Sequence, residues 1–143
     1  MARAILSLCV ATALCVAGAS AKVEIGASVG TIEFQDIRYV TRTLKDLGEA
    51  KAYVLVFSST TCPVAQRYIP KINELSRAYA DKGAKFAVVN ASPDDTIQQM
   101  AYHALEYKLE VPVVKDLDGG VVMAIGATRT PEAAINDANG KLV

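Results

Sequence analysis

The stretch that decides the fold is Tyr53-Val54-Leu55-Val56-Phe57-Ser58-Ser59-Thr60-Thr61-Cys62-Pro63. Its first five residues are continuously apolar and rich in β-branched and aromatic side chains, the pattern of a strand buried on both faces. Four hydroxyl residues then break the run. Proline is well tolerated at a first helical position, because the N–H it lacks would be unpaired there anyway. The spacing therefore predicts a central strand over 53–57 and a helix opening at Cys62 or Pro63, with the cysteine at the junction.

Downstream, Tyr68, Ile72, Leu75 and Tyr79 recur at helical spacing, and Asp81-Lys82-Gly83 closes the segment with a glycine suited to the left-handed position after a helix. Pro70 lies inside that helix and is expected to bend it. Lys85 to Asn90 reads as a second buried strand, and Ser92-Pro93-Asp94-Asp95 as the start signal of a helix carrying Ile97, Met100, Ala104 and Tyr107. Val111 to Val114 is extended, Asp118-Gly119-Gly120 a turn, and Val121 to Ile125 a brief helix. Thr130-Pro131 leads into Glu132 to Asn136, and Asp137-Ala138-Asn139-Gly140 is a hairpin turn ahead of Lys141-Leu142-Val143. Upstream, the alternation Thr31-Ile32-Glu33-Phe34 and the charged stretch Arg42 to Lys51, with Leu44 and Leu47, predict a small hairpin and a short helix. Alternating strands and helices predict an α/β sheet covered by helices, with right-handed crossovers between its parallel strands. The sequence stops as a new strand begins, which reads as a C-terminus cut short.

With 143 residues, 52% apolar and 21% charged, the chain has the size and side chains of one domain with a core. Fifteen basic residues balance fifteen acidic ones, so no nucleic-acid partner is expected. Residues 1–21 stand apart: Arg3, an apolar run from Ile5 to Ala17, and the small residues Ala19-Ser20-Ala21 form the pattern of a cleaved signal peptide. The run is shorter than the ~20 residues a spanning helix needs, so no stable membrane anchor is expected after cleavage. Residues 22–143 would then form a secreted or periplasmic domain in an oxidising compartment. Cys9 and Cys15 lie in the leader, leaving Cys62 as the thiol of the mature chain.

Cys62 is placed where thiols become reactive. N–H groups of a first helical turn point at the sulfur, and the helix dipole favours negative charge there. Ser59, Thr60 and Thr61 precede it with hydroxyls that suit hydrogen bonds to the thiolate or to a bound substrate. His103, the sole histidine, shares a helix face with Gln99, opposite Ile97, Met100 and Ala104, and reads as a solvated surface residue. Asp116 and Asp118 with Gly119-Gly120 lack the run of oxygen ligands of a calcium loop and read as a plain turn. The tyrosines Tyr53, Tyr68, Tyr79, Tyr102 and Tyr107 read as packing residues at the core or its boundary. Neither a metal nor a cofactor is expected.

The order of elements, the segment from Val56 to Pro63, Pro70, and Thr130-Pro131 before a hairpin strand together resemble the thioredoxin-like superfamily, in its redoxin or AhpC/TSA branch. The resemblance runs from about Ile25 to Val143 and implies a thioredoxin-like fold with a central mixed sheet. It also implies that Pro131 is a cis proline beside the reactive Cys62, and that Thr130 and Pro131 bracket a thiol or extended-peptide substrate together with Ser59, Thr60, Thr61 and Pro63. The chain departs from dithiol thioredoxins at Ala65, where they carry a second cysteine. It resembles peroxiredoxins in Ser59 and in the pair Cys62-Pro63, but Leu55 stands at their earlier proline and only Arg129 lies near the place of their arginine. Three functions fit this pattern. They are exchange with a disulfide or oxidised thiol on a partner protein or small molecule, one-cysteine reduction of a peroxide, and a redox-inactive binding module of a longer secreted protein.

Overall fold

A computed structural model of the chain describes residues 23–143, and the expected leader lies outside them. Strands β1 (Glu33–Asp36) and β2 (Thr41–Thr43) form the small hairpin, followed by a single 3₁₀ turn over Leu44–Leu47. Then come β3 (Ala52–Ser58), α1 (Pro63–Ala80), β4 (Ala84–Asn90), α2 (Ile97–Glu106), β5 (Val113–Lys115), α3 (Gly120–Ile125) and β6 (Glu132–Asp137). The six strands make one mixed sheet in the order β2-β1-β5-β4-β3-β6. The expected α/β architecture is the one observed.

Strand β3 is internal rather than central, one place in from the β6 edge. It runs parallel to β4, with Leu55 opposite Ala87 and Phe57 opposite Val89, and antiparallel to β6. Because side chains alternate along a strand, Leu55 and Phe57 point to one face and Val56 to the other. The first face packs on Phe34, Val89, Val114, Val121 and Ile125, so α3 covers it. On the second face Val56 and Val88 meet Ile72 of α1 and Val111. Leu55 and Phe57 are fully buried, and removing each from water stabilises the fold by roughly 1.5–3 kcal/mol.

Cys62 is the N-cap of α1 and Pro63 its first residue, as the sequence predicts; Gly83 after the helix has φ +85°. Pro70 sits inside α1, and the helix continues through it to Ala80. The buried stripe of α1 is Ala65, Ile69, Ile72 and Asn73, offset from the 68, 72, 75, 79 stripe expected. Tyr68 and Tyr79 face solvent instead, as does Tyr102 of α2. Helix α2 also starts later than expected. Thr96 is its N-cap, in a reciprocal pair with Gln99: Gln99 N–H donates to Thr96 Oγ1 (3.2 Å) and Thr96 N–H to Gln99 Oε1 (2.7 Å). That capping box frees Asp95 for another task.

At the far end, Asp137 Oδ1 accepts from the N–H groups of Asn139 (2.8 Å) and Lys141 (2.9 Å), and Gly140 has φ +75°. The chain then returns along Asn136 and Ser28 through isolated bridges at Leu142 and Lys141. No described helix is long and apolar enough to cross a membrane.

Candidate functional site

The site grows from the end of β3. The Ser58 carbonyl accepts from Ala91 N–H (2.9 Å), tying the strand end to the β4 side, and the chain then leaves the sheet through Ser59, Thr60 and Thr61. Cys62 N–H donates to the Ser59 carbonyl (3.3 Å), and the backbone turns from extended at Cys62 into helix at Pro63. The sulfur is thereby set at the open end of α1, where first-turn N–H groups have no helical partner.

The thiol is held below its ordinary pKa. The Ala65 N–H is the largest cause; burial opposes it, and the Thr130 side chain and the Val64 N–H add to it. Each of these donors stabilises the thiolate. Across the cleft, Cys62 Sγ lies 3.5 Å from the Thr130 carbonyl oxygen, to which the protonated thiol donates. The peptide bond between Thr130 and Pro131 is cis, as the resemblance implies. The structure thus joins Cys62, Pro63, Thr130 and Pro131 from two segments 68 residues apart.

The three hydroxyls before Cys62 are engaged with one another and with the body of the protein. Ser59 Oγ and Thr61 Oγ1 are 3.0 Å apart, and Thr61 N–H donates to Ser59 Oγ (3.2 Å). Thr60, half-buried, turns the other way, toward Asp95. Arg129 is exposed; its N–H and that of Thr128 donate to Glu132 Oε2 (3.2 and 2.7 Å).

Four polar residues of this region were not among the expected site residues. Asp95, read as part of a helix start, accepts from Thr60 N–H (2.7 Å) and Thr60 Oγ1 (2.6 Å). Asn90 Nδ2 donates to the same carboxylate (2.6 Å), Lys115 Nζ donates to Asn90 Oδ1 (3.1 Å), and Lys115 also reaches the Ser92 carbonyl. Asp95, Asn90 and Lys115 are all buried. Burial would raise the Asp95 pKa, but the hydrogen bonds from Thr60, Asn90 and the Ser59 side chain prevail and hold it below the usual carboxylate range. For Lys115, burial prevails and lowers its pKa against the pull of Asp95, Asp116 and Asp94.

The fourth is His103, which is not the solvated residue expected. Its ring packs on Tyr107 (centroids 4.6 Å apart), and its buried Nε2 has no hydrogen-bond partner among the described residues. With Ser59, Thr60, Met100 and Pro131 it lines a cavity of about 20 Å³ between α1 and α2. Burial lowers its pKa, partly opposed by Glu106 and Asp95. Asp116 likewise exceeds a plain turn: buried, it accepts from the N–H groups of Val121 (3.2 Å) and Val122 (2.9 Å) and so caps α3. No metal-binding cluster of His, Cys, Asp and Glu occurs among the described residues.

A sheet of this order with a cysteine capping α1 against a cis-proline loop defines a thioredoxin-like thiol domain. The Redoxin family model matches residues 35–143, and the chain belongs to that family. It is 28% identical over 122 residues to a protein named thiol-disulfide oxidoreductase ResA from Bacillus thuringiensis subsp. konkukian, an alignment covering 85% of this chain and 69% of that protein. Among solved structures, the thioredoxin domain of a thiol-disulfide oxidoreductase from Bacteroides vulgatus superposes with a TM-score of 0.72 at 19% identity, covering 85% of this chain and 86% of that one. A putative thiol:disulfide interchange protein DsbE from Chlorobium tepidum gives 0.72 at 19%, covering 84% and 82%. At these identities the structural likeness is one of fold.

Proposed function

We propose that this protein is an extracytoplasmic thiol oxidoreductase that works through one nucleophilic cysteine, Cys62. The observation that carries the reading is the position of the sulfur, facing the Ala65 and Val64 N–H groups on one side and the Thr130 carbonyl before Pro131 on the other. The Cys62 thiolate attacks one sulfur of a disulfide in a partner protein or small molecule. A new disulfide forms between Cys62 and that sulfur, the original sulfur–sulfur bond breaks, and the departing sulfur leaves as a thiolate that takes a proton from solvent. With Ala65 in place of a local second thiol, a thiol from outside the domain then attacks the mixed disulfide and releases Cys62. Thr130, Pro131, Pro63 and the loop Ser59 to Thr61 border the approach to the sulfur.

The names of the curated relatives support disulfide exchange, and the leader pattern in residues 1–21 supports an extracytoplasmic site for the domain beginning near residue 22. Disulfide exchange is favoured over peroxide reduction by the names of the curated relatives, and by the exposure of Arg129, the residue nearest the place of the peroxiredoxin arginine.

The test is made on the full chain with Cys9→Ser and Cys15→Ser, so that Cys62 is the reporting thiol. Mixed with glutathione disulfide at pH 7, it is expected to take up one glutathione at Cys62 faster than free cysteine does, reversibly on adding dithiothreitol. A rate no faster than that of free cysteine, with no mixed disulfide trapped, sinks the reading.

A further inference from the structure

We infer that Asp95 is a positioning residue for Cys62, acting through Thr60 in the loop that presents the sulfur. The inference rests on the reading of Cys62 as the reactive thiol and adds to it a device that sets its geometry.

Every hydrogen-bonding group of Thr60 is engaged. Its N–H and hydroxyl donate to the two oxygens of Asp95 (2.7 and 2.6 Å), and its carbonyl accepts from Gln66 Nε2 (2.8 Å) on α1. Thr60 is therefore a brace between the segment leading into α2 and the first turns of α1. The next link is short, since the neighbouring Ser59 carbonyl accepts the Cys62 N–H (3.3 Å). Loops between a strand and a helix have many accessible conformations, and two charge-assisted bonds to one carboxylate select one of them.

Asp95 is itself held. Asn90 donates to it and accepts from Lys115, whose ammonium also meets the Ser92 carbonyl. The buried cation and anion are thus bridged by an amide and do not touch. Burying two charges carries a desolvation cost that apolar side chains of the same volume avoid, so compactness does not account for the set. What it supplies is an acceptor pair fixed in place for Thr60, 35 residues away in the sequence.

Two substitutions separate the brace from the charge. In Asp95→Asn, the amide oxygen still accepts from Thr60 N–H and Asn90, and the amide nitrogen donates to Thr60 Oγ1, whose hydroxyl is free to turn and accept. The brace survives without its charge. In Asp95→Ala both acceptors are lost and Thr60 N–H is left unpaired. The readout is the pH dependence of iodoacetamide alkylation of Cys62, followed between pH 7 and 10 in the full chain with Cys9→Ser and Cys15→Ser. Removing a negative charge alone favours a thiolate and lowers the midpoint. A rise therefore reports lost positioning.

We expect Asp95→Asn to leave the midpoint unraised and Asp95→Ala to raise it by about one pH unit, about a tenfold drop in thiolate at pH 7. A folded Asp95→Ala protein with the parent midpoint overturns the inference, as does a rise in Asp95→Asn equal to that in Asp95→Ala. If Asp95→Ala does not fold, Thr60→Val, which removes one of the two bonds to the carboxylate, decides. A raised midpoint supports the brace, and an unchanged one overturns it. Absence of a trapped mixed disulfide in the parent counts against the functional reading and leaves the comparison of midpoints standing.

Discussion

Ala65→Cys puts a second thiol three residues after Cys62, and the structure sets what should follow. Positions three apart at a helix start lie about 5 Å apart between Cα atoms, within the range a disulfide spans. Ala65 is only 3% exposed, but it lines the cavity of about 20 Å³ beside Ile69 and Val56, so a sulfur has space there. The reduced variant should therefore stay within about 1 kcal/mol of the parent, below the 1–3 kcal/mol typical of overpacking. Closing a four-residue loop contributes about 2 kcal/mol in the chain-entropy account. Against that, oxidation gives up the stabilisation of the Cys62 thiolate by the Ala65 and Val64 N–H groups. The oxidised form should thus be between zero and about 2 kcal/mol more stable than the reduced one. The assay is oxidation by glutathione disulfide in the background lacking Cys9 and Cys15, followed by non-reducing peptide mapping and urea denaturation of both forms. A bridged peptide containing residues 62 and 65 is expected. Two separate glutathione adducts with no bridge would refute the closeness of position 65 to the sulfur.

Two further perturbations probe the scaffold. Leu55→Ala removes a fully buried side chain from the internal strand and should cost about 3 kcal/mol in urea denaturation; a loss under about 1 kcal/mol would contradict the packing around β3. His103 has a folded pKa below its ordinary value of 6.5, so over the interval between the two the unfolded chain binds more protons than the native one. Its contribution to stability is complete above pH 6.5 and is lost as pH falls from there toward the folded value. In a Cys62→Ser background, which removes the titration of the thiol, stability should rise from pH 5.5 to 7.5, and His103→Gln should flatten that rise. An equal slope in both proteins would show that His103 is not the group responsible.

The frame of this protein is legible in its local sequence. An apolar β-rich run followed by hydroxyls, cysteine and proline has few local solutions, and β3, the capping Cys62 and α1 are where it places them. The hairpin at β1 and β2 and the turn at Asp137 were equally readable, because their signals are short-range. The buried stripe of α1 was not. Its apolar residues fit two neighbouring stripes, and only docking on Val56 and Val88 selects the one containing Ile72 with Ala65 and Ile69. His103 was misjudged because helical periodicity ranks the faces of α2 alone, whereas α1 and the Cys62 loop close over the edge on which it lies. Asp95 looked like a helix start because local rules favour an acidic residue there. That Thr96 caps the helix and Asp95 turns to Thr60 follows from the pairing of β3 with β4, which brings the Ser58 and Asn90 ends side by side. The place of Cys62 at the start of a helix was thus written in local order, while the contacts that hold its sulfur and lower its pKa were decided by which strands and loops the fold made neighbours.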